Sequence, residues 1–229
     1  KLKTMLKSFS SKITAIALTC LVLYGCSQKK EKNFVMVHEL TDTYMLNPTN
    51  YQSADAGYYL SQMFQSLWGN DPRTLEMTPI LAKALPEEKY DSTTGLLTYT
   101  CEIREEAKWD NGSPITAHDV AFSVKCYKAP VINNEGNRPY FELISDVVEY
   151  PENPRKLTIV CNEKYILAES ICGSFLVMPQ YIYDPKKLMD QISIADIQKK
   201  TEEVANNPVM KEFATEYNSE KYQREKGFI

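Results

Sequence analysis

The sequence predicts an α/β fold, and three observations predict it. β-rich runs at 96–103 and 157–161 are strand-length and bounded by turn formers. Apolar residues recur at helical spacing over 55–67 and again through Val120, Val124 and Tyr127. Strands and helices are interspersed along the chain, with no internal repeat or low-complexity block between them.

Taken in order, the chain starts with Lys1, Lys3, Lys7 and Lys12 and no acid, followed by a short apolar run over 13–23 that ends at Gly25-Cys26. A basic start, a short apolar core and a small residue before a cut form a secretory signal, placed here at 1–25. The run is interrupted by Thr14 and Thr19 and falls short of the roughly 20 apolar residues that span a bilayer. Leu23-Tyr24-Gly25-Cys26 resembles a bacterial lipobox, which makes Cys26 the expected diacylglyceryl site and 26–33, with Lys29, Lys30 and Lys32, a solvated tether. An ordinary secretory signal with an incidental Cys is the alternative. Lys1 is not an initiator, so the chain reads as an untrimmed reading frame or a fragment.

In the body, Phe34-Val35-Met36-Val37-His38-Glu39-Leu40 reads as a strand entering a polar loop that ends at Asn47-Pro48. Over 55–67, Tyr58, Tyr59, Met63, Phe64 and Leu67 suggest one face of an amphipathic helix that Asp55 caps. Asp110-Asn111-Gly112 supplies residues that accept positive φ in a tight turn, and Pro114 pushes Ser113 toward extended backbone. Thr116 is then an N-cap with Asp119 as acidic partner. Trp109, beside this turn and cap, reads as packing rather than catalysis. Residues 133–137 form a polar loop, 150–155 a turn between strands, and 166–178 a buried helix running into a strand. From 184 onward the chain is charged and helical in pattern.

These motifs, in this order, carry a resemblance. The stretch Lys108-Trp109-Asp110-Asn111-Gly112-Ser113-Pro114-Ile115-Thr116-Ala117-His118-Asp119-Val120-Ala121-Phe122-Ser123, preceded by a strand ending Ile103-Arg104, resembles the signature of the family 5 extracytoplasmic solute-binding proteins of peptide, nickel and related ABC importers. Leu46-Asn47-Pro48, with Asn for the family's Asp, Phe64-Gln65-Ser66-Leu67, Pro79-Ile80-Leu81-Ala82, Lys156-Leu157-Thr158-Ile159-Val160 and Pro179-Gln180-Tyr181, with Gln for Lys, resemble further motifs of the same family, over about 34–183. The resemblance implies a two-lobed periplasmic-binding-protein fold of class II type, here the first lobe and part of the hinge lobe, with 184–229 a helical segment ahead of a distal lobe.

It also implies a binding lipoprotein that holds a peptide or other small solute between lobes and presents it to ABC permease subunits. Such a protein works as a monomer at the cell envelope, lipid-anchored in the periplasm. Asp42, Thr43, Tyr44 and Met45 are the implied ligand-binding strand, with Tyr44 as an aromatic wall. Peptide, nickel, haem, opine and sugar all stay open as solutes.

Composition agrees with a non-enzymatic role and excludes others. The net charge of −4 becomes −8 once the four signal lysines are removed, and no basic face clusters, which argues against nucleic acid. Only His38 and His118 are present, with no nucleophile elbow, phosphate-cradling glycine loop or metal-binding His motif, so no catalytic residue, metal or cofactor is expected. Cys101, Cys126, Cys161 and Cys172 read as buried small hydrophobes; one disulfide among them is compatible with export, but spacing does not choose the pair. An envelope scaffold lipoprotein and a lipoprotein hydrolase are the alternatives from other classes.

Overall fold

The computed structural model describes residues 45–51, 53–220 and 222. The signal segment, Cys26, the strand carrying His38, and Asp42, Thr43 and Tyr44 fall outside the described residues. The described residues belong to one unit, Thr41–Ile229.

The architecture is mixed α/β, built on a four-stranded antiparallel sheet. Strands β3 (Glu87–Tyr90), β4 (Leu97–Glu102), β5 (Ile144–Tyr150) and β6 (Asn153–Cys161) lie in the order β3-β4-β6-β5. Strand β4 alternates as its sequence requires: Leu97, Tyr99 and Cys101 are buried, while Thr98, Thr100 and Glu102 turn toward solvent. Across the β4–β6 register Thr100 lies opposite Thr158, and their hydroxyls bond at 2.8 Å. The edge strand β3 is exposed throughout and charged at Glu87, Glu88 and Lys89, which discourages pairing with another chain. A separate hairpin pairs β1 (Trp68–Asn70) with β2 (Met77–Pro79).

The first helix departs from the periodicity. It runs Ala54–Met63 (α1), its N-cap is Ser53 rather than Asp55, and it stops at Phe64. Ser53 Oγ accepts the Ala56 N–H at 3.1 Å, which leaves Asp55 in the first turn beside the positive end of the helix. The face it buries is Ala56 and Leu60, whereas Tyr58, Tyr59 and Met63 stay exposed. Phe64-Gln65-Ser66-Leu67 is drawn into extended backbone instead: the Leu67 N–H donates to Gly173 O and the Val177 N–H to Gln65 O, both at 3.0 Å.

The turn and cap after Trp109 form as their residues dictate. Gly112 takes φ +83°, where a Cβ would be strained. The Thr116 N–H donates to the Asp119 carboxylate at 2.9 Å, starting α2 (Ala117–Lys128). Helix α2 lies against β5 and β6 and buries Val120, Phe122 and Val124. Ser123 Oγ donates to Asp119 O and accepts the Met178 N–H at 2.8 Å, tying α2 to the extended stretch before Pro179. At its other end, Asn134 Nδ2 donates to the carbonyls of Cys126, Tyr127 and Ala129, groups the helix itself leaves unpaired.

The short helices α3 (Arg138–Phe141), α4 (Ala168–Gly173), α5 (Gln180–Tyr183), α6 (Ile194–Ile197) and α7 (Thr201–Asn206) follow, with a 3₁₀ turn at Leu188–Gln191 between α5 and α6. Helix α8 (Pro208–Tyr217) then packs back on α2 through Phe213, edge-on to Phe122 at 6.4 Å. The stretch 166–178 is a helix followed by extended backbone that joins neither sheet, and Ile166 and Leu167 point outward.

Candidate functional site

The segment that opens the described chain is pinned by polar contacts. Asn47 Oδ1 accepts the Thr49 N–H at 2.9 Å, the Thr49 hydroxyl at 2.8 Å and the Tyr217 hydroxyl at 3.0 Å. The Tyr127 hydroxyl donates to Pro48 O at 3.3 Å, and Asn137 Nδ2 donates to Thr49 O at 3.0 Å. Asn47 thus serves this loop as an acceptor through its Oδ1. Residues from α2, α8 and the loop before α3 converge on one short loop.

Beside that loop is an aromatic cavity of about 220 Å³. Its wall is a three-ring cluster: Tyr127 and Phe141 stack at 4.4 Å and 5°, and Phe175 sits edge-on to both at 5.7 and 5.4 Å. Tyr51 and Tyr140, 39% and 62% exposed, stand at its mouth. Ser170, Ser174 and the Asn137 amide supply a few polar groups. An apolar concavity with sparse polar groups, rimmed by exposed aromatics, is the usual form of a small-ligand or peptide side-chain site. Burial pushes the Tyr127 phenol far above the usual tyrosine range, so it stays a neutral donor to Pro48 O.

Of the four residues expected to line a ligand, Asp42, Thr43 and Tyr44 lie outside the described residues. Met45 is half-buried and is not among the residues lining the cavity, while Pro48 and Tyr51, just downstream, are. Sequence reasoning passed over Tyr51, Tyr140 and Phe175. The available signal was weak: an aromatic next to a polar loop, as at Tyr51 after Asn47-Pro48-Thr49-Asn50 and Tyr140 after the 133–137 loop.

A second cavity, of about 530 Å³, lies where the end of α1 meets Lys108, Trp109 and Pro179. Trp109 is half-buried there and also borders a cleft of about 280 Å³ beside Asp119 and Gln180. Its loop is held from behind by Arg155, whose guanidinium donates to the carbonyls of Arg104 at 2.8 Å, Glu105 at 3.0 Å, Ile115 at 3.3 Å and Ala107 at 3.4 Å. The gluing residue of the motif is thus Arg155, far away in sequence. Burial raises the Asp119 carboxyl, while the Thr116 N–H pulls it back.

His118 sits between two carboxylates, with Nδ1 at 3.2 Å from Glu149 and Nε2 at 2.9 Å from Asp190. The Glu149 bond, then the charges of both acids, raise its pKa to about 9 against the desolvation that lowers it. An imidazolium at neutral pH clamps α2 to β5 and to the 3₁₀ turn, and has no lone pair to act as a base. Among the described residues no group of three His, Cys, Asp or Glu side chains is arranged to hold a metal.

Comparison with known proteins agrees with this geometry. Residues 76–220 match the family described as "Bacterial extracellular solute-binding proteins, family 5 Middle". The oligopeptide-binding protein OppA of Bacillus subtilis is 30% identical over 120 residues, 51% of this chain and 20% of its own length. The periplasmic OppA of Haemophilus influenzae is 22% identical over 147 residues, 61% of this chain and 25% of its own length. The matched part of the chain therefore spans a quarter or less of these relatives. The oligopeptide-binding protein AppA from Bacillus subtilis, solved with a nonapeptide, superposes with a TM-score of 0.54 at 16% identity, covering 75% of this chain and 31% of that protein, a likeness of fold. With the family matched over most of its length, the chain is a member of the family 5 bacterial extracellular solute-binding proteins.

Proposed function

We propose that this chain is part of a lipoprotein that captures peptides for an ABC importer, and that the aromatic cavity beside residues 45–51 is one of its side-chain subsites. Family 5 proteins bind peptides or nickel for such import and are extracellular or periplasmic. The observation that carries the peptide reading is the cavity itself: three packed rings behind and two exposed tyrosines in front suit an apolar or aromatic side chain of variable shape. Such a cavity offers no cluster of imidazoles or carboxylates to a metal chelate. Asp42, Thr43, Tyr44 and Met45 come shortly before Pro48 in sequence and supply, on this reading, the strand along which the peptide backbone pairs. Cys26 carries the anchor, 26–33 the tether, and a permease receives the solute when a second lobe closes over it.

The test is calorimetry on the full-length gene product with synthetic tri-, penta- and nonapeptides. Tyr140→Ala, at an exposed position, should keep the melting temperature and weaken peptides with a bulky side chain about tenfold, equivalent to about 1.4 kcal/mol. Unchanged affinity for every peptide that the parent protein binds would remove the cavity from the site. No binding of any peptide by the parent protein would remove the solute class.

A further inference from the structure

We propose that Cys161 and Cys172 are a disulfide-forming pair, oxidised to an intrachain bridge when the chain folds outside the cytoplasm. Cys161 is the last residue of β6 and Cys172 lies in α4, and their sulfurs are 3.4 Å apart with both side chains fully buried. A disulfide needs about 2.05 Å between sulfurs, a closure small enough for side-chain rotation to supply. All four described cysteines are buried free thiols in this structure, and Cys101 within β4 and Cys126 within α2 lie on other elements than this pair.

The surroundings hold the pair in place from both sides. Cys161 is fixed by the sheet, registered against Leu97 on one flank and Ile144 on the other. Cys172 is fixed by α4, which is pressed onto Trp68: the indole Nε1 donates to Glu169 O at 2.9 Å, and a Cβ on Gly173 would lie 2.0 Å from that same nitrogen. The two thiols are also unequal. Cys161 is lowered by the Cys172 hydrogen bond and further by the nearby Lys128 ammonium, against its own burial. Cys172 is raised by that same bond and by burial.

The oxidant is a disulfide-bearing thiol oxidant of the cell envelope, the compartment in which such bridges persist. The thiolate of one of the two cysteines attacks one oxidant sulfur, forming a mixed disulfide and releasing the other sulfur as a thiol. The other cysteine, giving up its proton, then displaces the remaining oxidant sulfur. One S–S bond is broken and one formed; two electrons and two protons end on the oxidant, which leaves as two thiols. Because both sulfurs are sealed from solvent in the folded chain, the exchange belongs to folding, before α4 closes over Trp68. The finished bridge closes the ten-residue loop 162–171, whose tip carries Ile166 at 93% exposure, and tethers it to the sheet.

Lys164 lies between the two cysteines, which makes the test direct. The full-length protein is isolated from the cell envelope with free thiols blocked by N-ethylmaleimide under denaturing conditions, then digested with trypsin without reductant. The expected product is peptide 157–164 joined to 165–186, two hydrogen masses below the sum of the free peptides and separated by reductant. Recovery of both peptides with the blocking group attached would overturn the proposal, as would a link from either to Cys101 or Cys126. A second measurement is independent of the digest. Unfolding and refolding in reductant should lower the melting temperature of the parent protein by several degrees and leave a Cys161→Ala/Cys172→Ala variant unmoved. An equal shift in both, or none in the parent, would count against the bridge.

Discussion

The molecule has two tryptophans, and they sit in opposite kinds of place. Trp68 is wholly buried: it lies against Tyr99 of the sheet at 6.5 Å, donates to Glu169 O, and is pressed by Gly173 so closely that no side chain fits there. Trp109 is half-buried, borders two cavities, and belongs to a loop held by the guanidinium of Arg155 and by the charged first turn of α2. Sequence reading points to Trp109 as the architectural one, because it stands in a recognisable motif. The structure assigns that role more strongly to Trp68, which directly follows the Phe64-Gln65-Ser66-Leu67 motif but drew no attention itself. A motif marks where local geometry is demanding; burial marks where the energy is, and here the two are separated.

The largest test of this contrast is at Trp68. Trp68→Ala should cost about 3–5 kcal/mol in chemical denaturation, through lost area, a cavity between the hairpin and α4, and an abandoned carbonyl at Glu169. A cost under 1 kcal/mol would show that the site collapses freely and that the two tryptophans are equivalent. Trp109→Ala should cost about 1–2 kcal/mol, since a half-buried ring forfeits less area. If Trp109→Ala is the more destabilising of the two, the contrast is reversed.

The smallest effect separates the two regions by pH. His118 follows directly from the Trp109 loop and its folded pKa of about 9 stands above the ordinary 6.5. A raised pKa stabilises fully below the unfolded value, so the contribution is complete below pH 6.5 and is lost as pH rises through 9. With the ring 42% exposed, solvent screening reduces the contribution to about 1 kcal/mol. His118→Gln should therefore lower stability by about that much at pH 6 and by nearly nothing at pH 10. Equal losses at both pH values would mean that the ring serves by packing and not by charge. Trp68, with no titrating partner in its hydrogen bond, should show the same cost at both.

How much of this was legible in the sequence follows from the range of the interactions. Turn and cap chemistry acts between residues two to four apart, so Gly112 at positive φ and the Thr116–Asp119 cap were readable from spacing, and so was the mixed α/β class. The ordered motifs identified the family for the same reason. Helix α1 marks the boundary. Its pattern favoured Tyr58, Tyr59 and Met63 as the buried face, but Ala56 and Leu60 went inward, and Phe64-Gln65-Ser66-Leu67 left the helix to bond Gly173 and Val177 more than a hundred positions away.

Contacts of that length were decided by tertiary structure alone. Nothing within ten residues of Trp68 predicts Gly173, nothing near Trp109 predicts Arg155, and the rings of Tyr127, Phe141 and Phe175 meet only because α2, α3 and the stretch after α4 pack together. The pairing of Cys161 with Cys172 is near in sequence, yet it too needed the end of a strand and a helix to be brought face to face. Hydrophobic burial is non-directional: composition and period say which residues must leave water, and only the assembled chain says which of them meet.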